Sequence, residues 1–158
     1  RWHMPLNCEI RVDDLSGEAV RQLLAEHLAG VAVHSPPESI HALDLDGLRA
    51  PEITVWSVWD GATLAGCGAL KELDSAHGEI KSMRTAATHL RRGVASTLLE
   101  HLLATARDRG YGRLSLETGA QPGFEPARAF YTRFGFEPCA PFADYVEDPN
   151  SVFMTRVL

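Results

Sequence analysis

Apolar and polar positions alternate from Leu6 to Val12, with Leu6, Cys8, Ile10 and Val12 on one face, which is the period of a half-buried strand. Asp13 and Asp14 end it. Behind Ser16, a candidate N-cap, Ala19, Val20, Leu23, Leu24 and Leu28 recur at helical spacing, and Gly30 is a natural stop, so the pattern predicts a helix over 16–29. A proline-containing stretch, 34–37, leads to a shorter helical candidate over 38–45 and a loop through Pro51. Residues 53–59 alternate around β-favouring types, Asp60-Gly61 is a hairpin turn signal, and 63–70 reads as a second strand rich in small residues. A third strand is expected over 77–85, so three consecutive antiparallel strands form a meander.

The second half is more regular. Val94, Leu98, Leu99, Leu102, Leu103 and Ala106 make one apolar stripe of a helix that runs to Arg109 and stops at Gly110, with Arg107 and Arg109 near its negative C-terminal pole. Residues 113–117 read as a strand, 126–134 as a helix closed by Gly135 with an apolar strand behind it, and 151–157 as a last strand. Strands and helices thus intermix along the chain, as in an α/β domain. No repeat or linker divides them, so 5–158 is expected to be a single domain, and Arg1-Trp2-His3-Met4 reads as a tag remnant ahead of it.

With 158 residues, 45% of them hydrophobic and 23% charged, the chain can build its own core without disulfides or a structural metal. A net charge of −6 argues against a sequence-independent grip on nucleic acid, which needs a basic surface. Cys8, Cys67 and Cys139 are widely spaced and the seven histidines are dispersed, so surface or capping roles are expected for the histidines and no metal site. No apolar run approaches the roughly 20 residues of a membrane span, and a cytoplasmic protein with reduced thiols is expected.

Chemistry concentrates in two segments. In the first, Met83 to Ser96, a strand passes through a short basic loop into the striped helix. A helix N-terminus offers unpaired backbone N–H groups and a positive pole, and suits phosphate where the backbone can be approached closely, as Gly93 and Ala95 permit. Arg91 and Arg92 add charge, and Ser96 adds a hydroxyl donor. The plain alternative is an ordinary helix start with two solvated arginines. The loop is neither a P-loop nor a dinucleotide fingerprint, because the glycine and lysine patterns of both are missing. In the second segment, Ala127, Phe130, Tyr131 and Phe134 share a helix face ahead of Gly135-Phe136, as a core aromatic stripe would.

Together the two segments resemble the GNAT superfamily of N-acetyltransferases, whose pattern is Arg/Gln-x-x-Gly-x-Gly/Ala at a strand-to-helix turn and, later, Ala-x-x-(aromatic or Leu)-Tyr-x-x-x-Gly-Phe. The resemblance runs from Ile10 to Leu158. It implies a GNAT-like mixed, mostly antiparallel twisted sheet flanked by helices and splayed where acetyl-CoA enters. It implies that Arg91, Arg92, Gly93, Val94, Ala95 and Ser96 hold the pyrophosphate, and that the strand backbone at Met83 and Thr85 pairs with the pantetheine arm. Arg84, Thr118 and Phe130 complete the expected acetyl-CoA set, and Tyr131 matches the general acid toward the departing thiolate. Two positions depart from the pattern: Leu90 stands where Arg or Gln opens the loop, and Phe124 where an Asn often precedes the tyrosine by seven residues.

The implied reaction is direct transfer of acetyl to a primary amine of a small molecule or peptide. An alkylamine has a pKa of about 10.4 and reacts only when neutral, so a base is needed at pH 7. Glu79, on the strand leading into the loop, is the first candidate, and its alternative is an ion pair with Lys81 on the same strand face. Glu117 is the second. The acidic loop Asp144-Tyr145-Val146-Glu147-Asp148-Pro149-Asn150 reads as a solvated turn that would also attract a cationic amine. Its expected partners are thus acetyl-CoA and an amine, with no nucleic acid or membrane and with a homodimer left open. The rival reading is a non-catalytic acyl-CoA-binding sensor of the same fold.

Overall fold

In the computed structural model, which describes residues 7–158, the first alternation forms β1 (Glu9–Asp13) and the first apolar stripe forms α1 (Glu18–His34). The tag-remnant expectation for 1–4 lies outside the described residues. Two expectations for α1 change. Its N-cap is Gly17, because the Ser16 hydroxyl donates to Asp14 Oδ1 at 2.6 Å, and the helix does not stop at Gly30. It ends at Ser35, held extended by the proline that follows. Gly30 instead permits a close approach: a Cβ there would lie 3.0 Å from Nη1 of Arg84. The helix expected over 38–45 is not formed. Pro36 and Pro37 open a single 3-10 turn (Pro37–Ser39), and α2 (Leu45–Leu48) starts later, where Asp44 Oδ1 accepts from the backbone N–H of Gly47 at 2.9 Å.

The meander forms as β2 (Ile53–Asp60), β3 (Thr63–Asp74) and β4 (His77–Thr85). Then come α3 (Val94–Asp108), β5 (Arg113–Gly119), α4 (Glu125–Arg133), a short β6 (Glu137–Cys139) and β7 (Ser151–Val157). The seven strands make one sheet in the order β1-β2-β3-β4-β5-β7-β6. All neighbours are antiparallel except β4 and β5. That parallel pair is joined only from His77↔Arg113 to Glu79↔Ser115, so past Glu79 the two strands leave backbone groups unpaired toward each other.

One irregularity decides which side chains meet there. Lys81 pairs with Ala69 but Arg84 with Cys67, so β4 carries one extra residue, at Ser82, whose φ is +56°. Before the bulge Ile80, and after it Met83, face the core built on α3. Glu79, Lys81 and Arg84 therefore share the opposite face, the one covered by α1. The α3 core buries Val94, Leu98, Leu99, Leu102, Leu103 and Ala106 against Ile80, Leu114, Leu116, Tyr131 and Phe136. On the other face Val20, Leu23 and Leu24 of α1 pack with Leu48, Val55, Cys67 and Ala69. No helix among the described residues is long and apolar enough to cross a membrane.

Candidate active site

The gap between β4 and β5 opens into a cleft of about 760 Å³, walled by those strands, by α1, by the N-terminus of α3 and by α4. Of the residues the sequence singles out, Glu79, Met83, Arg84, Thr85, Val94, Ala95, Glu117, Thr118, Phe130 and Tyr131 line it. Arg91, Arg92, Gly93 and Ser96 do not; they form the turn and first helical turn beside it. Gly93, the N-cap of α3, has φ +83°, a left-handed conformation that glycine adopts without strain, and no side chain caps the helix. The first backbone N–H groups of a 15-residue helix are thus left for an acceptor from outside. Arg91 and Arg92 are exposed on the turn, and Arg92 reaches only to 4.0 Å from Asp60. Leu90 lines the cleft and remains 55% exposed.

His89 holds this turn to the sheet. Its Nε2 lies 3.0 Å from Asp60 Oδ2 at the end of β2, and its Nδ1 2.7 Å from Thr88 Oγ1. Of the surface or capping roles expected for the histidines, the surface one does not hold for His89, which is buried. Its place between a predicted strand and a predicted helix start is the signal that could have marked it.

Deeper in the cleft sits a polar cluster. Glu79 is 2% exposed. Its Oε2 takes hydrogen bonds from Lys81 Nζ at 3.1 Å and from the Tyr145 hydroxyl at 2.5 Å, so the alternative foreseen for Glu79 is realised, with an added partner. Lys81 Nζ also donates to the Tyr145 oxygen at 3.1 Å. Burial and the Glu79 carboxylate push the Tyr145 phenol up. Across the gap Glu117 Oε2 accepts from Ser151 Oγ at 2.7 Å. Burial raises the Glu117 pKa, against the Ser151 hydrogen bond and the nearby charges of His41 and Lys81. Tyr131 is 7% exposed, burial raises its pKa, and its hydroxyl bonds to no other described residue.

Tyr145 is the residue sequence reasoning missed. The acidic loop was expected to be solvated, yet Tyr145 turns into the cleft and stacks edge-on with His41 and Phe142. Aromatics at Phe142 and Tyr145 inside a polar loop were the available sign. Phe124, the second departure, packs its ring over Gly119 and against His34, with ring centroids 5.6 Å apart, and so joins the β5 end of the cleft to α1.

An open cleft beside an uncapped helix start, with a buried and a half-buried carboxylate and a phenol inside it, offers anion-binding N–H groups next to groups that can exchange protons. The model of the acetyltransferase (GNAT) family matches residues 18–136, and the chain belongs to that family, whose members are acyltransferases. It is 64% identical over 149 residues to the uncharacterized N-acetyltransferase YsnE of Bacillus subtilis, covering 94% of this chain and 99% of that one. A Klebsiella pneumoniae protein provisionally named an acyl-CoA N-acyltransferase superposes with a TM-score of 0.82 at 28% identity, covering 98% of this chain and 99% of that one. A Bacillus subtilis acetyltransferase solved with CoA superposes with a TM-score of 0.71 at 16% identity, over 96% and 99% of the two chains.

Proposed function

We propose that the chain is an acetyl-CoA-dependent N-acetyltransferase that acetylates a primary amine of a small molecule or peptide by direct transfer. The observation that carries this reading is the unpaired stretch of β4 and β5 beyond Glu79↔Ser115, which opens beside the uncapped start of α3. The CoA held by a relative of the same fold adds support. Acetyl-CoA supplies the acyl group already activated as a thioester.

The N–H groups of Val94, Ala95 and Ser96 bind the pyrophosphate, with Gly93 turning the backbone toward it and Arg91 and Arg92 adding charge. The unpaired backbone of Met83, Arg84 and Thr85 pairs with the pantetheine arm and polarises the thioester carbonyl, while Thr118 and Phe130 line the opposite wall. Glu117 takes the proton from the acceptor ammonium, since burial has made it a stronger base than an ordinary carboxylate. Glu79, fixed by Lys81 and Tyr145, lines the cleft beside the amine. Tyr131 stays protonated at neutral pH and hydrogen-bonds the departing sulfur.

Isothermal titration tests the assignment. Acetyl-CoA binds wild type at one site, and Gly93→Glu, which puts a carboxylate and a strained backbone at the helix start, weakens binding at least about ten-fold. Undiminished binding in that variant rejects it. The sensor alternative, favoured by the exposed Leu90, predicts binding without thiol release on any amine.

A further inference from the structure

Three polar groups in the cleft wall have no partner among the described residues, and all three lie between α1 and the bulge of β4. Arg84 forms neither an ion pair nor a side-chain hydrogen bond with any of them; its guanidinium lies along α1 at Gly30. Glu26, exposed on the same side of α1, does not pair with it. Nδ1 of His27, one turn before Gly30, is buried and unsatisfied. So is Oγ of Ser82, the bulge residue. Burial, and then the Arg84 charge, hold His27 near a pKa of about 4, so the ring is neutral at neutral pH and can donate from one nitrogen. The unpaired guanidinium faces the cleft and leaves its N–H fork for a ligand, while His27 Nδ1 and Ser82 Oγ, closed off from the cleft, make the wall behind it polar.

The chemistry of that fork defines the ligand. A guanidinium fork without a partner among the described residues matches a carboxylate, which accepts two parallel N–H bonds. Arg84 sits on the same face of β4 as Glu79 and Lys81, the face away from the α3 core. The site therefore presents Glu117 and the Lys81-paired Glu79 at one end, and at the other Arg84, unpaired among the described residues. We propose that the acceptor is an amino carboxylate, its ammonium end drawn to Glu117 and Glu79 and its carboxylate bound by the Arg84 guanidinium. This rests on the amine-acetylation reading above and narrows its substrate class. It also gives the Arg84 side chain to the acceptor and leaves only its backbone to acetyl-CoA.

The test is thiol release from acetyl-CoA with a panel of α- and ω-amino acids and the carboxamide of each, alongside titration of acetyl-CoA into each variant. Wild type prefers the carboxylate member of a pair by about ten-fold or more in kcat/KM, mainly through KM. Arg84→Gln abolishes the preference, Arg84→Lys keeps part of it, and neither changes acetyl-CoA affinity more than about two-fold. Equal use of carboxylates and carboxamides by wild type overturns the inference while leaving the N-acetyltransferase reading intact. So does a loss of acetyl-CoA affinity in Arg84→Gln, which would return the side chain to the cosubstrate. Absence of thiol release with every amine defeats the parent reading, and this one with it.

Discussion

Replacing Glu117 by Gln keeps the side chain's shape and an oxygen for the Ser151 hydroxyl, 2.7 Å away, but removes the proton acceptor. The size of the effect follows from the amine. With a pKa of about 10.4, an alkylamine is neutral in about one molecule in 2,500 at pH 7 and in about one in 25 at pH 9. An enzyme with a working base escapes that limit, and one without it must wait for the rare neutral amine. Glu117→Gln should therefore lose about 10³-fold in kcat/KM at pH 7, within the 10²–10⁴ typical of a general base, and about 10-fold at pH 9. The assay is thiol release against pH.

The wild-type rate should rise on the acid side through a pKa above the ordinary carboxylate value of about 4.3, because burial raises Glu117. The same shift fixes the sign for stability. A carboxyl whose folded pKa is raised binds its proton more tightly in the folded state, so its contribution is largest below the unfolded pKa and is lost as pH rises through the folded one. At pH 7 Glu117→Gln should thus melt no lower than wild type, which separates lost chemistry from lost folding. A deficit that does not shrink between pH 7 and pH 9, or a wild-type rate at pH 7, refutes the assignment.

Tyr131→Phe removes a hydroxyl that bonds to no other described residue, so it should leave the melting temperature and acetyl-CoA affinity nearly unchanged while lowering kcat about 10²-fold; a wild-type kcat removes Tyr131 from the chemistry. Lys81→Met strands the buried Glu79 carboxylate and should cost about 3–5 kcal/mol in denaturant unfolding at pH 7. Wild-type stability in Lys81→Met contradicts the ion-pair account.

The elements most legible in the sequence are those where one periodicity runs unbroken. The stripe from Val94 to Ala106 marks α3, and alternation sets β4 at 77–85 as observed. Where local signals compete, tertiary packing decides: Gly30 looks like a helix stop, but it sits under the Arg84 guanidinium and α1 runs on to the prolines. The candidate site is half legible. The family resemblance points to Glu79, Tyr131 and the Gly93 turn and the strand end to Glu117, and the structure brings Glu79, Glu117 and Tyr131 to one cleft with the turn beside it. The side of β4 on which Arg84 lies does not follow from the sequence, because one bulged residue at Ser82 inverts the parity of everything after it. Tyr145 is hidden for another reason: its place is set by loop closure against Glu79, 66 positions away, which no local pattern encodes.

Acetyl transfer to nitrogen is most directly tested by mass spectrometry of an amine panel incubated with acetyl-CoA and protein, with free thiol counted in the same tube. The account predicts an N-acetylated amine and one thiol released per acetyl transferred, with no acetyl left on the protein. Acetyl-CoA that binds but remains intact with every amine, or acetyl found on a protein side chain as an intermediate, would contradict it.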